Sequence, residues 1–366
     1  MNSIQGEKKV TFLINSLAGG GAEGVCVNIA NGLIEKGWQV DLLVLHLHNA
    51  AYLQKVNGEV NIVNLNVLQS RYALNAVMKY IKVRKPERIL VFNYELTVLL
   101  VLIRKLTFLK FKILARNINN LSQKKKLTES NWRRFIVNPL IDRFYCQADH
   151  VINQCQSMES DILALFPRLK GRTSVIYNPV NKIIEDAADR IDFNAIEKQE
   201  YLLCVGRLEK QKAFHYAIYA FYELSKELPS LRLKIVGQGR LESALRDLSL
   251  QLGISEKIDF EGFQTDIIPF YLHAKATLLT SLYEGFPNVL IESIYLRTPI
   301  VAFDCPSGPR EIIEKTKYGR LAELHDVDGL VKALREIINF QCNYKVFDDF
   351  SNARIIKKYA TILEAV

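Results

Sequence analysis

The sequence predicts an α/β chain folded as two doubly wound parallel-sheet domains, and three observations carry that expectation. At 366 residues the chain exceeds what one ordinary core holds and suits two domains. Short apolar runs alternate with segments of helical period through both halves, the order that gives parallel sheets covered by helices. Glycines, cations and acids recur just after the apolar runs, where such sheets keep their loops and bind their ligands.

Composition narrows the class further. With 49% apolar and 24% charged residues the chain is globular, with no low-complexity or disordered stretch. No apolar secretory core follows a basic start, and the longest apolar run, Leu96 to Ile103, stops at Arg104-Lys105, too short to span a bilayer. The expectation is a cytoplasmic protein, peripheral on the inner face of the membrane if it meets one. Cysteines 26, 146, 155, 204, 305 and 342 form no C-x-x-C and no cluster with histidine, which reads as scattered reduced thiols. Residues 1–180 hold 24 Lys+Arg against 12 Asp+Glu (+12), and 181–366 hold 24 against 27 (−3), which together give the net +9. One basic half points to an anionic surface or substrate, with nucleic acid and membrane as the first candidates.

In the first half, Lys9 to Asn15 reads as a buried strand, Gly19-Gly20-Gly21 as a tight turn, the segment to Lys36 as a helix closed by Gly37, and Gln39 to Leu45 as the next strand. Gly19 to Gly24 formally contains G-x-G-x-x-G. A dinucleotide fingerprint also needs an acid at the end of the second strand; Asp41 lies at its start, and His46-Leu-His-Asn follows, so a generic phosphate turn ranks above NAD binding. His46 and His48 have no third ligand nearby and read as loop histidines. Ile89 to Asn93 and Lys112 to Ala115 are further strands, the latter followed by Arg116-Asn-Ile-Asn-Asn120. Lys124-Lys125-Lys126, Trp132-Arg133-Arg134-Phe135 and Arg143-Phe144-Tyr145 interleave basic and aromatic residues; this reads either as a solvated basic face or as a surface docking on an anionic membrane. Val151 to Asn153 and Val175 to Val180 read as strands, and 181–199 as a linker.

In the second half, Tyr201 to Val205 is a strand ending in Gly206-Arg207-Leu208, with Lys210 and Lys212 before a helix over 213–227; two such cations suit a diphosphate. Leu231 to Val236, Lys257 to Phe260 and Pro299 to Phe303 are strands; 240–252, Val331 to Phe340 and Ala353 to Leu363 are helices. The chain is organised around Ser281 to Ser293. The run 276–280 is the strand leading in, Asn288 the expected N-cap, and Val289 to Leu296 the helix leading out. Glu284 then lies in the loop and Glu292 in the first turns of the helix, among free backbone N–H groups. Backbone N–H groups donate to phosphate oxygens and carboxylates accept from sugar hydroxyls, so this loop suits an anionic, hydroxyl-rich ligand.

Five stretches in order carry a resemblance: Gly19 to Glu23, Val205-Gly-Arg-Leu with Lys212, Ile235-Val-Gly-Gln-Gly239, Glu284 to Glu292 and Ser307 to Ile313. Together they resemble the retaining glycosyltransferases of family 4 (glycosyltransferase group 1), with the GT-B fold of two facing Rossmann-like domains and a cleft between them. The resemblance implies sugar transfer from a nucleotide diphosphate-sugar, expected here to be UDP-linked, with retention at the anomeric carbon and without metal or other cofactor. It implies that Arg207 and Lys212 hold the diphosphate, that Glu292 takes the ribose hydroxyls, and that Glu284 takes the donor sugar's hydroxyls with the amides of Gly285, Phe286, Pro287 and Asn288 nearby. Gly19, Gly20 and Gly21 would close over the phosphates, and base contacts would lie around Gly237 and Phe263. Front-face attack, with the donor's phosphate taking the acceptor's proton, is implied in place of a covalent Glu284 intermediate. Gly24 stands where many members have Arg, Ala213 where they have Gly, and no His lies near Arg116 to Asn120, so Arg116 or Asn119 is expected to take that contact.

The expected domains are 1–180 on the acceptor side, 200–345 on the nucleotide-sugar side, and a terminal helix over 346–366 that packs back on the first. The expected partners are the donor and a lipid-linked or saccharide acceptor of surface-polysaccharide biosynthesis, with peripheral association to anionic membrane and no nucleic acid. The competing reading is a catalytically silent nucleotide- or polyanion-binding protein of the same fold.

Overall fold

In a computed structural model the protein is described over residues 8–127, 130–338 and 347–366. The chain divides into two units, one of residues up to Asn181 together with Asp349–Val366, the other Lys182–Asp348. The end of the expected helix Val331 to Phe340, and Cys342, lie outside the described residues.

The first unit is a seven-stranded parallel sheet of β1 (Lys9–Ile14), β2 (Gln39–Val44), β3 (Asn61–Asn64), β4 (Arg88–Val91), β5 (Lys112–Arg116), β6 (His150–Asn153) and β7 (Thr173–Val175), ordered β3-β2-β1-β4-β5-β6-β7. The second is a six-stranded parallel sheet of β8 (Tyr201–Val205), β9 (Arg232–Val236), β10 (Ile258–Gly262), β11 (Ala276–Leu279), β12 (Ile300–Phe303) and β13 (Gly319–Ala322), ordered β10-β9-β8-β11-β12-β13. Both orders reverse direction once, between β1 and β4 and between β8 and β11. The central strands are buried along nearly their whole length because helices cover both faces, which is why they read as continuous apolar runs.

Each unit has its own apolar core. Leu13, Leu43, Val91, Ile113 and Val151 of the first sheet pack with Leu96, Leu100 and Ile103. The apolar run Leu96 to Ile103 is thus the inner face of helix Tyr94–Thr107, capped by Asn93, whose side chain accepts from the Glu95 N–H at 2.8 Å. Among the described residues no helix is long and apolar enough to cross a membrane. The second core joins Leu202, Cys204, Ile235, Leu278 and Val301 to Phe221, Leu224 and Leu334.

The terminal helix Asn352–Ala365 belongs to the first unit and packs on helix Gly21–Glu35. At Gly32 an added Cβ would lie 2.6 Å from Ile356 Cγ1, so the missing side chain allows that close approach. Asn28 and Asn352 both donate to the Val180 carbonyl, at 2.9 and 2.8 Å. Stretch 181–199 carries helix Lys182–Ala188, which packs on helix Asn288–Tyr295. β7 covers only Thr173–Val175: Ile176 still donates to Asn153 O, after which Asn178-Pro179 leads the chain out of the sheet.

Candidate active site

The reversal between β8 and β11 opens the crevice where a doubly wound sheet binds ligands, and the loops after these two strands carry Arg207, Lys212 and Glu284. β8 runs into Gly206 (φ +150°), whose N–H donates to Val236 O at 2.9 Å, while Leu208 N–H donates to Gln238 O at 3.0 Å. These bonds lay the loops after β8 and β9 back to back. A Cβ on Gly237 (φ +138°) would lie 1.9 Å from Gly206 O, so close backbone approach requires glycine there.

Three bonds fasten the loop after β11 to the segment carrying Lys212. Leu282 N–H donates to Gln211 O (2.9 Å), Gln211 Nε2 to Tyr283 O (2.8 Å), and Thr280 Oγ1 to Lys212 O (2.9 Å). Lys212 Nζ then donates to Glu284 Oε1 at 2.6 Å, with only 16% and 9% of the two side chains exposed. Such a pair is held by charge-assisted hydrogen bonding in a poorly hydrated pocket. Arg207 is exposed at the rim.

The loop after β12 supports this segment from behind. Glu284 N–H donates to Pro306 O at 3.1 Å, and Gly308 (φ +97°) sits where a Cβ would lie 2.5 Å from Pro287 Cδ. Gly285, Phe286 and Pro287 are buried. The helix begins at Asn288 itself, with Pro287 before it, so Asn288 is its first residue and not its cap. Glu292, one turn in, accepts from Tyr271 Oη at 3.1 Å. Burial, reinforced by the Glu292 charge, holds the Tyr271 phenol well above its usual pKa, so this hydroxyl stays a donor and orients the carboxylate. Phe263 is 55% exposed beyond β10, two strands from the reversal.

In the first unit the turn Gly19 (φ +102°), Gly20 and Gly21 lies after β1, at that sheet's own reversal, and opens helix Gly21–Glu35. The Glu23 carboxylate lies against Gly20, where an added Cβ would meet Oε2 at 2.4 Å. The Tyr52 hydroxyl fills the space beside Gly24, 2.7 Å from where a Cβ would be. A longer side chain at 24 therefore meets Tyr52 first. Asp41 is buried and accepts from Tyr80 Oη (2.7 Å) and Asn61 Nδ2 (2.8 Å), which removes it as a ribose acid. His46 and His48 stack with ring centroids 5.4 Å apart, and among the described residues no group of three or more His, Cys, Asp or Glu is gathered to hold a metal.

Arg116 is not presented to solvent. It is 1% exposed, donates to Tyr359 Oη (2.7 Å) and Asn178 Oδ1 (2.5 Å), and lies over the Phe92 ring. It ties the end of β5 to the terminal helix. Asn119 is half-buried and its carbonyl accepts from Tyr94 Oη. Two groups at these sites carried no motif in the sequence. Tyr271 lies within the short apolar stretch 267–272 and looks like a core position, and Asn93 with Tyr94 joins the reversal only because β4 pairs with β1.

Against known proteins, the profile of Glycosyltransferase Family 4 matches residues 19–182 and that of Glycosyl transferases group 1 matches 186–354. A Haemophilus influenzae glycosyltransferase is 28% identical over 97% of this chain and 100% of its own. The Campylobacter jejuni N-acetylgalactosamine-N,N'-diacetylbacillosaminyl-diphospho-undecaprenol 4-alpha-N-acetylgalactosaminyltransferase is 25% identical over 96% of this chain and 99% of its own. Among solved structures, Anabaena HepE in complex with UDP and glucose shares the fold with a TM-score of 0.77 at 19% identity, over 98% of this chain and 100% of that one. With both halves matched and two parallel α/β sheets in the GT-B arrangement of elements, the chain belongs to the group 1, family 4 glycosyltransferases and is a glycosyltransferase enzyme.

Proposed function

We propose that this glycosyltransferase moves a sugar from a UDP-sugar to a lipid-linked acceptor in surface-polysaccharide biosynthesis, with retention at the anomeric carbon. The observation that carries the donor half of this reading is the Lys212–Glu284 pair at the β8/β11 reversal, with Arg207 on the rim and Glu292 oriented by Tyr271. Relatives act in lipopolysaccharide and polysaccharide biosynthesis, and the Campylobacter protein is named for a diphospho-undecaprenol acceptor. The HepE complexes contain UDP and glucose.

In this reading Lys212 and Arg207 neutralise the diphosphate without a metal ion. The bond from the anomeric carbon to the β-phosphate oxygen breaks with its electrons passing to that oxygen. The acceptor hydroxyl adds to the same face, and its proton goes to the departing phosphate. The two cations gain most as charge develops on the leaving group, so they act on the transition state more than on the bound donor. Lys212 holds Glu284 within its reach, leaving the second carboxylate oxygen for sugar hydroxyls. Glu292, oriented by the Tyr271 hydroxyl, takes the ribose hydroxyls.

The test is release of UDP from a panel of UDP-sugars, alongside calorimetric titration with UDP. Glu292→Ala is expected to weaken UDP binding at least tenfold, a loss of about 1.4 kcal/mol or more. Wild-type protein that binds no uridine nucleotide refutes the donor assignment.

A further inference from the structure

We infer that one amphipathic face of the first unit, built from two segments far apart in sequence, docks the enzyme on an anionic bilayer. Glu95, at the start of helix Tyr94–Thr107, joins the segments. It accepts from Ser70 Oγ at 2.9 Å and pairs with Arg133. Loop 68–72 and the helical segment 131–144 are thereby held over one carboxylate beyond the carboxyl end of β4.

The side chains these segments present are the wrong ones for water. Leu68 is 67% exposed, Tyr72 65%, Trp132 50% and Phe135 67%, with Ile136 and Leu140 beside them. Residues 133–137 are wound as π-helix and run into helix Asn138–Phe144, and Trp132, Phe135, Ile136 and Leu140 are the large apolar side chains this segment leaves exposed. Val137, Ile141 and Phe144 pack inward on the core. Lone exposed apolar residues are ordinary, but a group of this size contributed by two segments marks a contact surface.

Charge selects the occupant. Arg71, Lys126, Arg134 and Arg143 are exposed on the same two segments and the turn before them, whereas Arg133 and Lys125 are taken up by Glu95 and Asp142. Aromatic and aliphatic side chains ringed by exposed basic ones, with Arg71, Arg134 and Arg143 lying over Tyr72, Phe135 and Phe144, match a membrane interface of anionic headgroups, where rings sit at headgroup level and cations meet phosphates. Among the described residues of these segments, the four exposed cations outnumber the one exposed acid, Asp142, which is paired with Lys125, and that excess favours an anionic surface over a protein partner or second copy. The proposal stands without the donor reading, since vesicle binding needs no sugar. If that reading holds, docking brings a lipid-linked acceptor to the edge that carries the glycine turn.

The experiment uses the full chain and vesicles of phosphatidylcholine with or without phosphatidylglycerol, read by flotation and by tryptophan emission. Trp38 is 2% exposed, so a blue shift on vesicle addition reports Trp132. Binding is expected to vesicles containing phosphatidylglycerol only, and to be lost in 0.5 M salt, where the Debye length falls to a few ångströms. Arg134→Gln and Arg143→Gln are each expected to weaken it about fivefold, and Phe135→Ser with Leu140→Ser at least tenfold. Phe108→Ser, at the exposed far end of helix Tyr94–Thr107, is the control and is expected to change nothing. All substitutions are at exposed positions, and unchanged thermal melts establish that the variants fold. Equal binding to neutral vesicles, insensitivity to salt, equal loss with Phe108→Ser, or a Trp132 blue shift that grows with protein concentration without vesicles each overturn the proposal, the last in favour of self-association.

Discussion

At the scale of single residues, the Lys212–Glu284 contact belongs to the proposed site and is also a stability hazard. Both groups are mostly withdrawn from water, so removing either strands the other as a buried charge at a cost of about 3–5 kcal/mol. Removing both deletes the problem. Lys212→Met and Glu284→Met are therefore expected to destabilise strongly as singles, while the double variant costs at least about 2 kcal/mol less than their sum. Denaturant unfolding of the three variants checks this, and additivity within about 0.5 kcal/mol would show that the pair is effectively solvated. All three variants should lose transfer activity, which separates the site's chemistry from its contribution to stability. Cys305 lies in the same environment, and burial pushes its thiol pKa up, so it is a poor nucleophile there.

At the scale of elements, what the sequence revealed depended on whether the signal was local. The strands β1, β2, β8 and β9 and the turns at Gly19–Gly21 and Gly237 are legible because burial on both faces leaves continuous apolar runs and because glycine marks close approach. Helix Tyr94–Thr107 was visible only as an apolar run, since its buried face is wide enough to hide the helical period. The burial of Arg116 is illegible for a different reason. A cation after a strand reads as a ligand, and only the return of the terminal helix, 243 residues later, buries it against Tyr359. Lys198 shows the same limit. In the presumed linker, its ammonium donates to Leu272 O (2.7 Å) and Thr298 Oγ1 (2.6 Å), pinning the entry to β8 against the start of β12. Burial lowers its pKa from 10.5 to about 8. Below pH 8 both folded and unfolded chains carry the proton, and the folded state bears the full burial penalty. Between about pH 8 and 10.5 only the unfolded chain keeps the proton, so this group makes stability rise with pH across that window. Relative to Lys198→Met, the wild type should gain up to about 3 kcal/mol between those limits, measured as the difference between two unfolding series. A difference that stays flat would mean that the lysine is hydrated.

At the scale of the whole molecule, one topological rule says where each unit has room for a ligand. A parallel sheet that reverses direction leaves two neighbouring strands whose following helices lie on opposite faces, and the gap between them admits a ligand. In the second unit that gap lies between β8 and β11, flanked by Arg207, Lys212 and Glu284; in the first it lies between β1 and β4, flanked by Gly19–Gly21 and Asn93. The outer strands β3, β7, β10 and β13 have no such gap beside them. The rule yields a map of where UDP should slow amide hydrogen exchange. Protection is expected in 206–213 and 281–292, whose backbone turns around the cation–acid pair. The loops after β7 and β13 should exchange as in the free protein. With UDP near the wild-type Kd, Glu292→Ala should remove most of the pattern, because protection follows occupancy and a site about tenfold weaker is nearly empty there. Protection centred on an outer-strand loop, or spread evenly over both sheets, would place the nucleotide elsewhere and would separate the fold's two reversals from its function.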